Sequence, residues 1–441
     1  MRVPRRTALL ACTAALLGAT CVTVTCATVT PAAAADVAHT VLAAKDGWGS
    51  ATTGTTGGSK ADAAHTVTVT TRAQLVAALG GNNSSNASNA TAKIIQVSGT
   101  IDLNVNDSNA HLSCANYQTG GYTLAKYLAA YDPAVWGRSK VPSGALEDAR
   151  AASQKAQAAR VQINVGANTT IVGINGGKLL GGGLVVKNVD NVIVRNLTFE
   201  DAADCFPQWD PTDGSTGNWN SMYDNLVAYN ATHVWVDHNT FTDGANVDSK
   251  QPSYFGRPYQ VHDGELDVVK GADYVTASWN VFKDHDKTIL VGNSDSSTVD
   301  TGKLRVTFHH NLWQNTVERA PRVRFGQVDV YNNYFVPTAG QYEYSIGVGK
   351  NSKIVAQYNY FKLPSGTTAG QVLSKLNGTA LTADNNSVNG TTTDLISAYN
   401  AAHSSSTLGA SAGWTPSLRL TVQATSAVPA AVTASAGAGR I

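Results

Sequence analysis

From about residue 160 onward, apolar and polar positions alternate in short runs, and five of those runs share one template. Two apolar residues flank a single position, and an Asn follows two places before an aromatic. The runs are VWVDHNTF (234–241), VTASWNVF (275–282), VTFHHNLW (306–313), VDVYNNYF (328–335) and IVAQYNYF (354–361). A sixth, VIVRNLTF (192–199), keeps the Val and Phe but has its Asn one place early. A period of two predicts a strand, and the Asn predicts a turn after it. Asn239, Asn280, Asn311, Asn333 and Asn359 recur at spacings of 41, 31, 22 and 26 residues. The shortest spacing suits one turn of a solenoid, and the longer ones predict loops inserted at fixed corners. Stacked turns would superpose the Asn side chains, whose amides can hydrogen-bond along the stack as a ladder. The aromatics would stack likewise inside the core. A β-sandwich also alternates, but it does not require the same Asn and aromatic at the same offset in every strand. The pattern therefore predicts an all-β, single-domain, right-handed parallel β-helix with long inserted loops.

The earlier chain reads differently. TVTVTTRAQLVAALGG predicts a strand and then a short helix over 72–79, with a Thr at its N-cap. Such a helix is suited to cover the open sheet edges at one end of a β-helix. GNNSSNASNAT reads as a loop and KIIQVSGTIDL as a strand. Residues 125–160 form the only substantial helical stretch. The tail after about 385 has little periodicity and is expected along the outside.

Composition sharpens the class. Only 14% of the 441 residues are charged, 40 are Gly, and β- and turn-formers abound, which suits a secreted all-β protein. The first 35 residues carry a basic start (Arg2, Arg5, Arg6), an apolar run from Ala8 to about Leu17, and small residues ending near Ala35. That pattern predicts a secretion signal over 1–35 and a mature domain over 36–441, because the apolar run is too short for a membrane anchor. Removing the three arginines turns the formal charge from +1 to −2. Bulk charge therefore gives no attraction to nucleic acid or membrane, and a polyanion would have to meet a local basic patch. Cys114 and Cys205 remain after the signal, as a disulfide in an oxidising compartment or as two buried thiols.

Two constellations carry candidate chemistry. DGELD places Asp263 and Asp267 four apart, so that on a strand both carboxylates share a face, and Asp224 lies about one coil upstream. Three carboxylates on neighbouring coils would suit Ca²⁺, which takes several oxygens in flexible geometry; the alternative is surface Asp at turns. The second constellation is basic. Lys287 follows the repeat after DGELD, and TVERAPRVRFGQV (316–328) holds Arg319, Arg322 and Arg324. Val323 and Phe325 can point inward while Arg322 and Arg324 point out, and Pro321 frees Arg319 from sharing their direction. By themselves these arginines also read as a salt-bridged outer face. His309, His310 and His238 lie within repeats and read as structural.

VWVDHNTFTDG, DGELDVVKGADYVTASWNVFKDHDKT, LRVTFHHNLWQNTVERAPRVRFGQVDVYNNYF and FPQWDPTDGSTGNWNSMYDN, in that order, resemble the pectate lyases of polysaccharide lyase family 1, bacterial extracellular branch. The likeness extends over nearly all of the mature chain. It implies a secreted, monomeric enzyme that cleaves polygalacturonate (pectate) by calcium-dependent β-elimination. It implies that Asp224, Asp263 and Asp267 bind Ca²⁺, that Lys287 and Arg324 hold a substrate carboxylate, and that Arg319 is the base. Some relatives carry another Asp where Met222 stands here, so the first calcium would have fewer protein ligands. Arg322 receives no role beyond structure or a peripheral contact. The competing readings are a calcium-independent pectin lyase, a hydrolytic polygalacturonase, and a non-catalytic β-helix binder.

Overall fold

The repeated Asn organises one corner of every coil in the computed structural model, which describes residues 37–441. The predicted secretion signal lies outside the described residues. Immediately before each repeated Asn, one residue takes a left-handed backbone: φ is 51° at His238, 55° at Trp279, 55° at His310, 52° at Asn332 and 57° at Tyr358. The Asn that follows is fully buried and reaches both ways along the stack. The Asn280 side-chain amide donates to Val236 O (2.9 Å) and to Asn311 Oδ1 (3.0 Å), and its backbone N–H donates to the same Oδ1 (2.9 Å). Asn239, Asn311, Asn333 and Asn359 repeat this pattern.

The ladder runs one coil further than the sequence pattern indicated, to Asn386, where Val388 replaces the aromatic that marks the other repeats. At its other end the early Asn is explained. Asn196 itself takes the left-handed position (φ 57°), Leu197 falls where the ladder residue would be, and its N–H donates to Asn239 Oδ1 (3.0 Å). Inside, Phe199, Phe241, Phe282, Trp313, Phe335 and Phe361 stack with centroids 4.8, 5.1, 5.3, 4.7 and 4.5 Å apart. Each such buried ring contributes about 1.5–3 kcal/mol from the area removed from water.

Parallel pairing of successive coils produces a right-handed parallel β-helix with two large sheets. One is continuous over 17 strands. The other has eight, all parallel: β1 (Gln162–Val165), β2 (Gly183–Lys187), β3 (Leu226–Tyr229), β4 (Leu266–Val269), β5 (Leu290–Val291), β6 (Arg322–Val323), β7 (Ile346–Gly349) and β8 (Leu373–Leu376). Val268, Val291, Val323 and Val348 are fully buried and in register. Their strand neighbours must therefore face outward.

Helix α1 (Arg72–Leu79) starts where the sequence predicts. The Thr71 hydroxyl accepts from the Gln74 N–H, and Leu75 and Leu79 enter the main core. The predicted helical region forms α2 (Leu124–Tyr131), α3 (Pro133–Trp136) and α4 (Ala145–Val161). Its insert carries a separate aromatic cluster that includes Tyr127, Phe206, Trp209 and Trp219. Cys114 and Cys205 form a disulfide that ties this insert to the body (Cα–Cα 5.4 Å).

The tail is more ordered than its lack of periodicity suggested. It contains α5 (Leu395–Ala402) and α6 (Val428–Ser435), each only two turns long and so too short for a helical period to stand out. α5 places Leu395, Ile396 and Tyr399 in the main core. Helix α6 lays Val428 and Val432 on the outer face beside Val281, Leu312, Tyr334 and Tyr360. As expected, the tail runs along the outside, and it runs backward. Trp414 Nε1 donates to Lys353 O (3.0 Å), Arg419 pairs with Asp329 (2.6 Å), and the Gln423 N–H donates to Asn332 Oδ1 (2.8 Å). The Gly437 N–H reaches Trp279 O (2.8 Å) and the Gly439 N–H reaches Asn196 Oδ1 (2.6 Å). Among the described residues no helix is long and apolar enough to cross a membrane.

Candidate active site

The outward face of the eight-stranded sheet gathers the predicted residues on successive coils. Register aligns Val227, Asp267, Leu290, Arg322, Gly347 and Ser374 on one outward line. A second line, two residues on, holds Tyr229, Val269, Gly292, Arg324, Gly349 and Leu376.

The acids meet by a different device from the one expected. Strand β4 starts at Leu266, so Asp263 and Asp267 do not alternate along one strand. Asp263 belongs to the preceding turn, where its N–H donates to Tyr223 O (3.4 Å) and its carbonyl accepts from His285 Nε2 (2.7 Å). Gly264 makes the convergence possible. A Cβ there would lie 2.4 Å from Asp267 Oδ1 and 2.9 Å from Asp224 Oδ1, so any larger residue would displace the carboxylates. The Gly264 N–H donates to Asp224 Oδ1 (2.8 Å), and the Leu290 N–H donates to Asp267 Oδ1 (2.9 Å).

Burial first, and then the charges of Asp267 and Asp263, push the Asp224 carboxyl well above its ordinary range. Burial and then Asp263 push Asp267 up to about 7. Crowded, buried carboxylates of this kind call for a cation. Among the described residues no three His, Cys, Asp or Glu side chains are arranged to hold a metal unaided. The oxygen donors suit Ca²⁺, whose usual six to eight ligands exceed what three carboxylates supply, so water and substrate oxygens would complete the shell. Met222 is 64% exposed and offers no donor in its side chain of the kind Ca²⁺ prefers.

The bases follow on the next coils. Lys287 ends the strand Val281–Lys287, stands opposite Glu318 in register, and has no ion-pair partner among the described residues. Arg319 takes a left-handed backbone (φ 60°) just before the cis Ala320–Pro321 bond, which sets it apart from the two arginines that follow. Its Nε lies 3.0 Å from Glu318 Oε1. Burial works against its charge, but Glu318 and then Asp263 outweigh burial and raise its pKa further.

Val323 and Phe325 are buried in the core while Arg322 and Arg324 face out, as predicted. Arg324 has acquired a protein partner that the sequence gave no sign of. Its Nε lies 2.6 Å from Asp295 Oδ1, and its Nη1 donates to Gly292 O (2.9 Å). Asp295 is anchored in turn by Asn377 (2.7 Å). Glu318 was visible in the quoted stretch, beside Arg319. Asp295 lies in a loop 29 residues from Arg324, and only the fold brings it near. His309 and His310 are buried against each other, with His309 facing Asp46, away from this face.

A cavity of about 480 Å³ is lined by Asp243, Asp248, Asp284, His285, Asp286 and Glu343 among others. None of Asp224, Asp263, Asp267, Lys287, Arg319 or Arg324 lines it, and its acidic walls would repel a polyanion. The candidate site is therefore the open face of the sheet rather than this cavity.

The sequence pattern of the pectate lyase family matches residues 140–441. The pectate lyase of Bacillus subtilis (strain 168) is 49% identical over 414 residues, covering 92% of this chain and 95% of that protein. Pectate lyase E of Dickeya chrysanthemi is 40% identical over 327 residues, covering 73% of this chain and 68% of that one. Among solved structures, a thermostable pectate lyase superposes with a TM-score of 0.90 at 44% identity, covering 92% of this chain and all of that one. A pectate lyase bound to a hexasaccharide superposes with a TM-score of 0.86 at 48% identity, with the same coverage. The fold and these likenesses define a polysaccharide lyase built on a parallel β-helix. The chain belongs to the pectate lyase family.

Proposed function

We propose that this protein is a secreted, monomeric pectate lyase that cleaves (1→4)-α-D-galacturonan by calcium-dependent β-elimination. The observation that carries the reading is the succession along one face: acids on two adjacent coils, Lys287 on the next, and Arg319 with Arg324 on the one after. The hexasaccharide complex of a relative with 48% identity supports an oligosaccharide substrate.

Asp224, Asp263 and Asp267 would hold Ca²⁺, which when bound supplies positive charge beside the uronate carboxylate and lowers the energy of charge developing at C5. Lys287 and Arg324 add charge-assisted hydrogen bonds to that carboxylate. Arg319, in its neutral form, takes the proton from C5. The C5–H electron pair becomes the C4=C5 double bond, the C4–O bond breaks, and the departing sugar oxygen takes a proton from water. The products are a 4,5-unsaturated end and a new hydroxyl.

Arginine is charged at ordinary pH, and Glu318 and Asp263 hold Arg319 more firmly so. Activity must therefore rise toward alkaline pH. The same observation favours a second reading, in which Arg319 stays charged and orients hydroxide. Arg319→Lys separates the two. A side-chain base of lower intrinsic pKa moves the alkaline limb down by about two units, whereas bound hydroxide leaves it in place.

The deciding assay follows ultraviolet absorbance of the unsaturated product from polygalacturonate, with calcium, with EDTA and with Arg319→Ala. Expected are activity with calcium, its loss in EDTA, and a fall of about a hundredfold or more in the variant. Hydrolysis without an absorbing product, or full activity in EDTA, sinks the proposal. The Cys114–Cys205 disulfide supports export to an oxidising compartment. Recovery of the mature protein, starting after Ala35, from the culture medium tests that part, and light scattering tests the monomer.

A further inference from the structure

We propose that Arg322 binds a second uronate carboxylate of the polymer, beside the one held at Lys287 and Arg324; this rests on the polygalacturonate reading above.

Three observations converge on it. Arg319 pairs with Glu318 and Arg324 with Asp295. Arg322, between them in sequence, has no carboxylate within ion-pair distance among the described residues, and its enclosed Nε has no hydrogen-bond partner. Enclosed charged groups are normally paired. Burial, then Arg324, works against the charge of this guanidinium. A purely structural arginine at this place would be an unfavourable choice.

Its position gives the missing anion a source. Arg322 stands on the same outward line as Asp267, two coils further on, a separation of roughly 10 Å at the usual strand spacing. A polymer threaded past the acids and Lys287 along this line reaches Arg322 next.

The following coil leaves room for it. Both outward positions there are glycine, Gly347 and Gly349, so the floor beside the arginines carries no side chains. A Cβ on Gly347 would lie 3.1 Å from Arg322 Cγ and 3.0 Å from Tyr344 Cε2. The Arg322 stem and the Tyr344 ring thus close over Gly347, which steadies the stem while the guanidinium stays unpaired.

Arg322→Gln tests this in the full-length protein, because Gln keeps the stem over Gly347 and removes the charge. In steady-state assays on polygalacturonate, KM should rise about tenfold while kcat stays within about twofold, as expected on losing a charge-assisted bond made equally before and during reaction. The salt dependence of KM should also weaken, because one ion pair with the substrate is gone. Arg322→Lys should recover part of the loss and serves as the main probe if the Gln variant does not fold. A folded Gln variant with unchanged KM and unchanged salt dependence overturns the inference. So does a loss confined to kcat together with a lowered melting temperature. If the wild type itself yields no unsaturated product, the functional reading has failed instead. Only an active wild type matched by its Arg322 variants counts against Arg322.

Discussion

Arg319 Nε lies 3.0 Å from Glu318 Oε1, and register places that same Glu318 opposite Lys287 on the preceding coil. One carboxylate thus stands between the proposed base and a proposed substrate ligand, and it is the leading cause of the raised Arg319 pKa. Removing it lowers the pH at which neutral Arg319 is reached. In Glu318→Gln the rising alkaline limb of the pH–activity profile should therefore move down by about one unit. A limb that stays put, in an active and folded variant, would show that Glu318 does not control the ionisation that matters.

The acids make a prediction about stability without metal. Asp224 and Asp267 have folded pKa values raised above the ordinary carboxylate value, Asp267 to about 7. The folded state then binds more protons than the unfolded one between about pH 4 and 7, so stability falls as pH rises through that window. In EDTA the melting temperature should drop over this range, and Asp267→Asn should flatten the drop. Added calcium should restore the wild type near neutral pH, and the variant should need at least about tenfold more calcium for the same effect. Calcium titrations followed by thermal melts decide it.

His262 works in the opposite sense at higher pH. Burial disfavours its charge, but Asp201, Asp248 and Asp243 outweigh burial and raise its pKa to about 9. Its contribution to stability is full below the unfolded value of 6.5 and is lost as pH climbs through about 9. Wild-type melting temperature should decline over that interval even with calcium saturating. His262→Gln should start lower and decline less. Equal slopes for the two proteins would remove His262 as the cause.

The Asn ladder makes the plainest stability prediction. Asn311→Ala strips partners from Ala277 O and from both the backbone and side-chain N–H groups of Asn280, all inside the core. Each buried group left unpaired costs about 1–3 kcal/mol. A loss of at least about 3 kcal/mol in urea unfolding is expected, against little change for the exposed Gln314→Ala on the same coil.

Much of this was readable beforehand because the β-helix repeats its local chemistry. One Asn and one aromatic per coil suffice to fix the architecture, and the 72–79 helix announced itself by its Thr cap. The repeat also indicates which residues share a face, which is how Asp224, Lys287 and the arginines could be linked across a hundred residues of chain. What stayed hidden depends on contacts that no period reports. Asp263 sits in a turn rather than on the strand, brought to its neighbours by a glycine whose missing side chain is the signal. Asp295 reaches Arg324 from an irregular loop. Helices α5 and α6 are too short for an amphipathic pattern to rise above chance. Asn386 lacks the aromatic that identified its predecessors.

The backward-running tail has a consequence for how the molecule can come apart. A stack of coils with only nearest-neighbour contacts behaves as a zipper, free to fray from either end. Here one segment is clasped to Lys353 on a late coil, to Asp329 and Asn332 further in, and then to Trp279 and Asn196 near the start of the ladder. The last coil cannot peel away without unbuckling a strap whose other end is fastened several coils earlier, so distant coils share one fate.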